Sequence, residues 1–184
     1  MRFWPRFFGH LKTITRHRHQ VIRHCAKAGI LWQGLRHDLS KYSPTEFFQG
    51  VRYFDGRHSP TEDERKDLGY SLAWMHHKGR NPHHWEYWTD YNMEQRRYVP
   101  VSMPRRYIAE MICDRVAASK IYRGKAYRNS DPLDYLLNGK MRDAMHPDTL
   151  KSLTRFLTQL RDEGEEAMFA SLGEWIREER RKSV

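Results

Sequence analysis

Proline stands repeatedly where a helix would begin. The tetrapeptide "SPTE" occurs at Ser43 to Glu46 and again at Ser59 to Glu62. Each copy offers Ser at the N-cap, Pro at the first helical position and Glu at N3, which is the pattern of a capping box. "NPHH" at Asn81, "MPRR" at Met103, "DPLD" at Asp131 and "HPDT" at His146 repeat the device, because a first turn tolerates the N–H that proline lacks. Between these starts, apolar residues recur at intervals of three and four: Tyr107, Met111, Ala118 and Ile121 in one segment, Leu150, Leu153, Leu157 and Leu160 in another. Strand alternation is nearly absent. The pattern predicts an all-α fold, a helical bundle of about seven or eight helices, with loops near residues 55–58, 92–102 and 124–130.

At 184 residues, the chain fits one domain spanning 1–184 that can bury a core without disulfides. Cys25 and Cys113 share no close-spaced motif and read as reduced thiols, so a cytoplasmic protein is expected. The longest apolar run, "AGILW", is about five residues, against the ~20 needed to cross a bilayer, and the amino-terminal stretch lacks the apolar core of a secretory signal. Net charge is +10 with an isoelectric point of about 9.7. No acidic residue precedes Asp38, whereas eight Lys and Arg do. That bias favours anionic partners: small phosphorylated compounds, nucleic acid or an anionic membrane surface. Phe7, Leu11 and Ile14 share one face of the basic amino-terminal segment, which supports binding to nucleic acid or an anionic surface. The final stretch, "EEAMFASLGEWIREERRKSV", reads as a charged helix with Met168, Leu172 and Ile176 on one side, packed at the domain edge.

Several polar residues interrupt apolar stripes. In "MPRRYIAEMICDRVAASKIY", Asp114 falls among Tyr107, Met111, Ala118 and Ile121 on one helical face. A buried carboxylate without a partner is strongly disfavoured, so an arginine, backbone donors or a metal ion must compensate. His37 and Asp38 stand directly behind Ile30, Leu31, Trp32 and Leu35, at the edge of what reads as a core-facing stripe, with Lys41 about one turn further on. His17, Val21, His24 and Ala28 place histidine on the inward side of an earlier helix, while His19 points elsewhere. "MHHKGRNPHHWEYW" holds four histidines, His76, His77, His83 and His84, at a helix–loop–helix junction. Density of this kind indicates a metal, a bound phosphate or a pH-sensitive patch.

Taken in order, His17, His37-Asp38 and Asp114 resemble the H…HD…D signature of the HD-domain superfamily of metal-dependent phosphohydrolases. "HDLSKYSPTEFF", "HHKGRNPHHWEYW" and "MPRRYIAEMICDRVAAS" are similar, more closely, to a family of short uncharacterised bacterial and phage proteins with an HD-like pattern, over roughly residues 16–122. The resemblance implies an HD-like helical domain with its motif-bearing core at 16–122 and further helices over 131–182. It implies that His17, His37, Asp38 and Asp114 are the core metal ligands, with His77, His83 and His84 as additional ones. Asp38 is then the bridge if two ions bind. The cofactor would be one or two divalent ions of the Fe, Mn, Co or Zn type. The superfamily motif continues with Gly before its Lys, where this chain has Ser40.

The activity implied is hydrolysis of a nucleotide or another small phosphorylated compound. Lys41 becomes the group that stabilises charge or orients substrate, and Glu46, with Glu86, a general base or an orienting carboxylate. Lys78, Arg80, Arg105 and Lys120 are candidate phosphate contacts, each with an ordinary surface charge as the competing reading. Trp85, with Tyr87 and Trp88, offers a stacking face for a nucleobase, with burial in the core as the competing reading. Two rival functions follow: oxidation by O₂ at a di-iron site of the same superfamily, and binding of nucleic acid or an anionic surface around a structural metal.

Overall fold

A computed structural model of the chain describes residues 3–182. Met1, Arg2, Ser183 and Val184, which the sequence reading takes into the domain and its terminal segments, lie outside the described residues. Helix α1 spans Phe3–Lys27, and short α2 spans Leu31–Arg36. Then come α3 (Pro44–Tyr53), α4 (Pro60–Leu68) and α5 (Leu72–Lys78). Strands β1 (Thr89–Asn92) and β2 (Arg97–Pro100) form a hairpin before α6 (Arg105–Arg123), α7 (Asp131–Asn138), α8 (Pro147–Glu163) and α9 (Glu165–Lys182). The fold is all-α, with nine α-helices among the described residues. Of these, none is long and apolar enough to cross a membrane.

The proline starts hold at α3, α4, α7 and α8, where Pro occupies the first turn, and at α6, where Pro104 is the N-cap. Ser43 Oγ accepts from Glu46 N at 3.5 Å, but the Glu46 carboxylate does not return to close the box. Ser59 turns its hydroxyl to Thr61 Oγ1 instead of capping α4. Pro82 starts no helix. The Asn81 side chain is engaged with Ser40 and the His77 carbonyl, and residues 81–84 form turns that lead into a 3₁₀ turn at Trp85–Tyr87. The loop expected over residues 92–102 is largely a hairpin, pairing Asp90 with Val99 and Tyr91 with Tyr98. Its four-residue strands are mostly exposed, so no apolar alternation marks them.

Two apolar clusters hold the helices. The larger takes Val21 and Cys25 from α1, Ala28 just beyond it, the buried face of α6, and Leu153, Phe156, Leu157 and Leu160 from α8. Met168, Phe169, Leu172 and Ile176 place α9 within this core, deeper than the domain edge. The smaller cluster contains Ile14, Phe47 and Val51, with Phe7 and Leu11 packed against it. Of the face expected to meet nucleic acid or an anionic surface, Ile14 is buried against α3 and Phe7 and Leu11 are half-buried. The stripe expected behind the His-Asp pair is also absent. Only Ile30 is buried, whereas Trp32 is 80% exposed and Leu31 and Leu35 are exposed. Helix α2 instead presses its backbone on α1: a Cβ on Gly34 would lie 2.5 Å from Cys25 Cβ.

Helix α1 carries three buried histidines seven residues apart, His10, His17 and His24. His24 lies in the apolar core beside Phe169, its Nδ1–H donating to the Cys113 carbonyl and its Nε2 accepting from Gln20. Acceptance at Nε2 requires the neutral ring, and burial lowers its pKa to about 4. The unfolded chain therefore takes up a proton near pH 6.5 that the native state refuses until about pH 4, so stability falls as pH drops through that window. Denaturant titrations at pH 7 and 4.5 should show wild type losing about 2 kcal/mol more on acidification than His24→Gln. Equal losses would place the ring's titration outside this window.

Candidate metal centre

Four parts of the chain converge between α1 and α6. Helix α1 supplies His17 and α6 supplies Asp114. His77 closes α5, and His83 and His84 come from the turn that follows. His37 and Asp38 lie just past the end of α2, where Asp38 adopts a left-handed conformation (φ 54, ψ 26), a strained region that Asp tolerates better than most residues. Arg18 fixes this corner by donating to the backbone carbonyls of Leu35 and His37.

The Asp38 carboxylate is 1% exposed and divides the site. Its Oδ1 lies 3.3 Å from His77 Nε2 and 3.4 Å from His83 Nε2. Its Oδ2 lies 3.2 Å from His37 Nε2, 3.9 Å from His17 Nε2 and 2.6 Å from Lys41 Nζ. His17 Nε2 also approaches Asp114 Oδ1 at 2.9 Å. Besides the smaller group His37, His83 and Glu110, two groups of four potential ligands result, each with its donor atoms within 4.8 Å of one another: Asp38, His77, His83 and His84, and His17, His37, Asp38 and Asp114. Asp38 belongs to both.

Carboxylates set which imidazole nitrogens face inward. Glu110 Oε1 accepts from His37 Nδ1 at 2.8 Å, with His83 Nδ1 at 3.2 Å, while Gln33 holds Oε2. Glu46 accepts from His76 Nδ1 at 2.6 Å and His77 Nδ1 at 2.7 Å. Protons on Nδ1 leave Nε2 of His37, His77 and His83 as lone-pair donors toward Asp38, the arrangement a ligating histidine needs. Nε2 of His17, His37, His77, His83 and His84 and both Asp38 oxygens are buried without a formed hydrogen bond. Acceptors facing acceptors at such distances require a positive charge between them. Burial opposes ionisation, yet Asp38 and its neighbouring carboxylates hold the His37 pKa well above the histidine range, while His37, Lys41 and His77 hold Asp38 well below the carboxylate range. These residues fit a cation: buried imidazole and carboxylate donors, oriented by Glu46 and Glu110 and with the Lys41 ammonium already on Asp38, are what a divalent metal ion replaces protons to bind.

The remaining candidates are placed differently. Lys41 stands at the site, its ammonium on Asp38. Both oxygens of Glu46 are taken by imidazole protons, so it orients His76 and His77 and is not free as a general base. Glu86 has a buried Oε2 without a partner. Arg105 donates to the Trp175 carbonyl and lies over that indole, and Lys120 pairs with Glu165, so both tie α6 to α9 and are not drawn to the cluster. Lys78 is half-buried, and Arg80 is exposed with a bond to the His76 carbonyl. Trp85 is half-buried and packs against the larger apolar core. Glu110 was invisible to a search for stripe-breaking residues, although its position four residues before Asp114 puts it on the same helical face. Ser40 accepts from Asn81 Nδ2 at 2.8 Å and so anchors the turn that presents His83 and His84.

Removing an orienting carboxylate should weaken the metal without removing a ligand. Glu110→Gln is expected to lower metal affinity by roughly 10–100-fold, measured by chelator competition on folded protein. Unchanged affinity would show that Glu110 does not orient His37 and His83.

No curated protein and no solved structure matches the chain. A family model described as a family of unknown function (DUF5662) matches residues 6–159, a span that contains every residue of both ligand groups. The chain belongs to that family.

Proposed function

We propose that this protein is a metal-dependent phosphohydrolase of the HD type, acting on a nucleotide or another small phosphorylated compound, in which Asp38 would be shared among the residues that hold one or two divalent ions. The observation that carries the reading is the division of the Asp38 carboxylate, each oxygen facing its own set of imidazole Nε2 atoms. His17, His37 and Asp114 would hold one ion, and His77, His83 and His84 the other. When bound, such ions supply Lewis acidity and lower the pKa of a bound water from 15.7 toward roughly 7.

The chain's own groups do the rest. Lys41 keeps its charge beside Asp38 and Asp114, and its ammonium is the cation nearest to where phosphate oxygens would approach the ligand atoms. Glu46 and Glu110 keep the imidazoles in the ligating tautomer. The mixed imidazole and carboxylate donors also suit iron, which keeps oxidation by O₂ as the rival chemistry.

Asp38→Ala should lose both bound metal, read by elemental analysis, and hydrolysis of phosphate monoesters. Lys41→Met should retain metal and lose turnover by about 10²–10³-fold, as expected when a charge-stabilising donor is removed. Normal turnover in Lys41→Met would remove the role assigned to that residue. Oxygen consumption by iron-loaded protein without phosphate release would replace hydrolysis with the oxidative reading.

A further inference from the structure

Helix α1 has two faces with different surroundings. The inner face carries His10, Ile14 and His17 into the protein, and its His10, Thr13 and Ile14 line a cavity beside the ligand cluster, with Lys41 and His77 among the other walls. The outer face is a single stripe. Trp4, Phe8, Lys12, Arg16, His19 and Arg23 follow one another at steps of three and four, and all are exposed. Aromatic residues occupy its amino end and basic residues the remainder.

Both parts lack a partner within the chain. Trp4 is 63% exposed and Phe8 60%. Their rings lie against each other, centroids 6.1 Å apart at an interplanar angle of 25°, while Phe7 meets both edge to face and packs in turn on Phe47 of the smaller apolar cluster. The result is one continuous apolar patch seated on the core. Lys12, Arg16 and Arg23 pair with no carboxylate among the described residues, and no Asp or Glu precedes Asp38 in the sequence. The neighbouring segment runs alongside: Gly34 presses on Cys25, Arg18 holds the Leu35 carbonyl, and Tyr42 Oη lies 3.1 Å from Thr15 Oγ1. Leu35 and Leu39 of this segment, and Trp32 just before it, are exposed. Apolar side chains therefore stand next to the cations as well as at the amino end of the stripe.

Charge and apolarity together select what meets this surface. Nucleic acid would match the cations, but the rings at the amino end are packed on one another and leave no slot between them for a base. A second copy of the chain would set like charges against each other. An anionic bilayer offers both complements, headgroup phosphates and carboxylates for Lys and Arg and the acyl boundary for Trp and Phe. From Trp4 to Arg23 the stripe is roughly 28 Å long at 1.5 Å per residue, and α1 is not apolar enough to cross a membrane, so it would lie in the plane of the surface.

We infer that the outer stripe of α1, with Trp32 beside it, docks this protein on an anionic phospholipid bilayer, Trp4 and Phe8 entering the headgroup boundary while Lys12, Arg16 and Arg23 meet the headgroups. The docking is independent of the reaction assigned to the metal ligands, since His17 lies on the opposite face of the helix.

Co-sedimentation of the full-length protein with unilamellar vesicles tests it. At about 0.1 M salt, the protein should partition at least tenfold more strongly onto phosphatidylcholine vesicles containing roughly one-third phosphatidylserine than onto phosphatidylcholine alone. Raising the salt to about 1 M, where the screening length is about 3 Å, should remove most of that preference. Trp4→Ser/Phe8→Ser, and separately Lys12→Gln/Arg16→Gln/Arg23→Gln, should each weaken binding to the anionic vesicles at least tenfold. Lys125→Gln/Lys151→Gln/Arg181→Gln removes the same charge from exposed residues elsewhere and should weaken it less than threefold. All the altered side chains are exposed, and circular dichroism checks that the helices persist. As a second measurement, phospholipid brominated on its acyl chains should quench wild-type fluorescence more than that of Trp4→Phe. Equal partition onto neutral and anionic vesicles, equal losses in the two charge variants, or no binding to vesicles would overturn the inference. Capture of a single-stranded oligonucleotide but not of vesicles would give the stripe to nucleic acid, and a dimer that Trp4→Ser/Phe8→Ser dissociates would give it to a contact between copies; either result overturns it as well.

Discussion

One buried carboxylate organises the amino-terminal half of this protein. Asp38 is withdrawn from water at a left-handed residue, where an unpaired charge would cost several kcal/mol. Its neighbours compensate from separate parts of the chain: His17 from α1, Lys41 from the turn after α2, His77 from α5 and His83 from the loop beyond. The need is structural as well as chemical. Of the buried members of the two apolar clusters, residues 31–102 contribute Phe47 and Val51, with Trp85 and Trp88 packed against the larger cluster. The corner after α2 and the end of α5 are tied to α1 and α6 by polar groups gathered around Asp38, and a cation that satisfied those groups would strengthen that tie.

Much of this was legible in the sequence because a polar residue at a core position announces a conflict. Asp114 on an apolar face, His17 among Val21 and Ala28, and the histidine-rich junction all pointed inward, and the structure brings them together. The helical character was equally plain, since proline at first turns and spacing by three and four are local signals. What escaped was set by tertiary packing. The run Leu31, Trp32 and Leu35 looks like core, but α2 meets α1 through Gly34 and leaves those side chains outward. Glu110 is of a type that usually sits at helix surfaces, and only its spacing to Asp114 hints at its place. For Arg105 and Lys120, only the position of α9 reveals the Trp175 carbonyl and Glu165 as their partners.

The two sides of the site differ in kind. Around Asp38, charged and ionisable groups are packed so closely that each fixes the orientation of the next, and Glu46 bridges this cluster to the wall of the adjoining cavity. On the cavity side the lining is mixed, with Ile14, Phe54, Pro60 and Ala73 beside Lys41 and Glu64.

Helix α1 is the element that relates these regions. His10 lines the cavity, His17 belongs to the ligand cluster and His24 lies in the apolar core, each seven residues from the next. At about 1.5 Å of rise per residue, the helix works as a ruler with marks roughly 10 Å apart. Adding or deleting one residue between two marks would rotate everything beyond it by about 100° and carry a buried imidazole out of register. Length variation in this segment is thus barred by geometry in three environments at once, and change along α1 is confined to substitution.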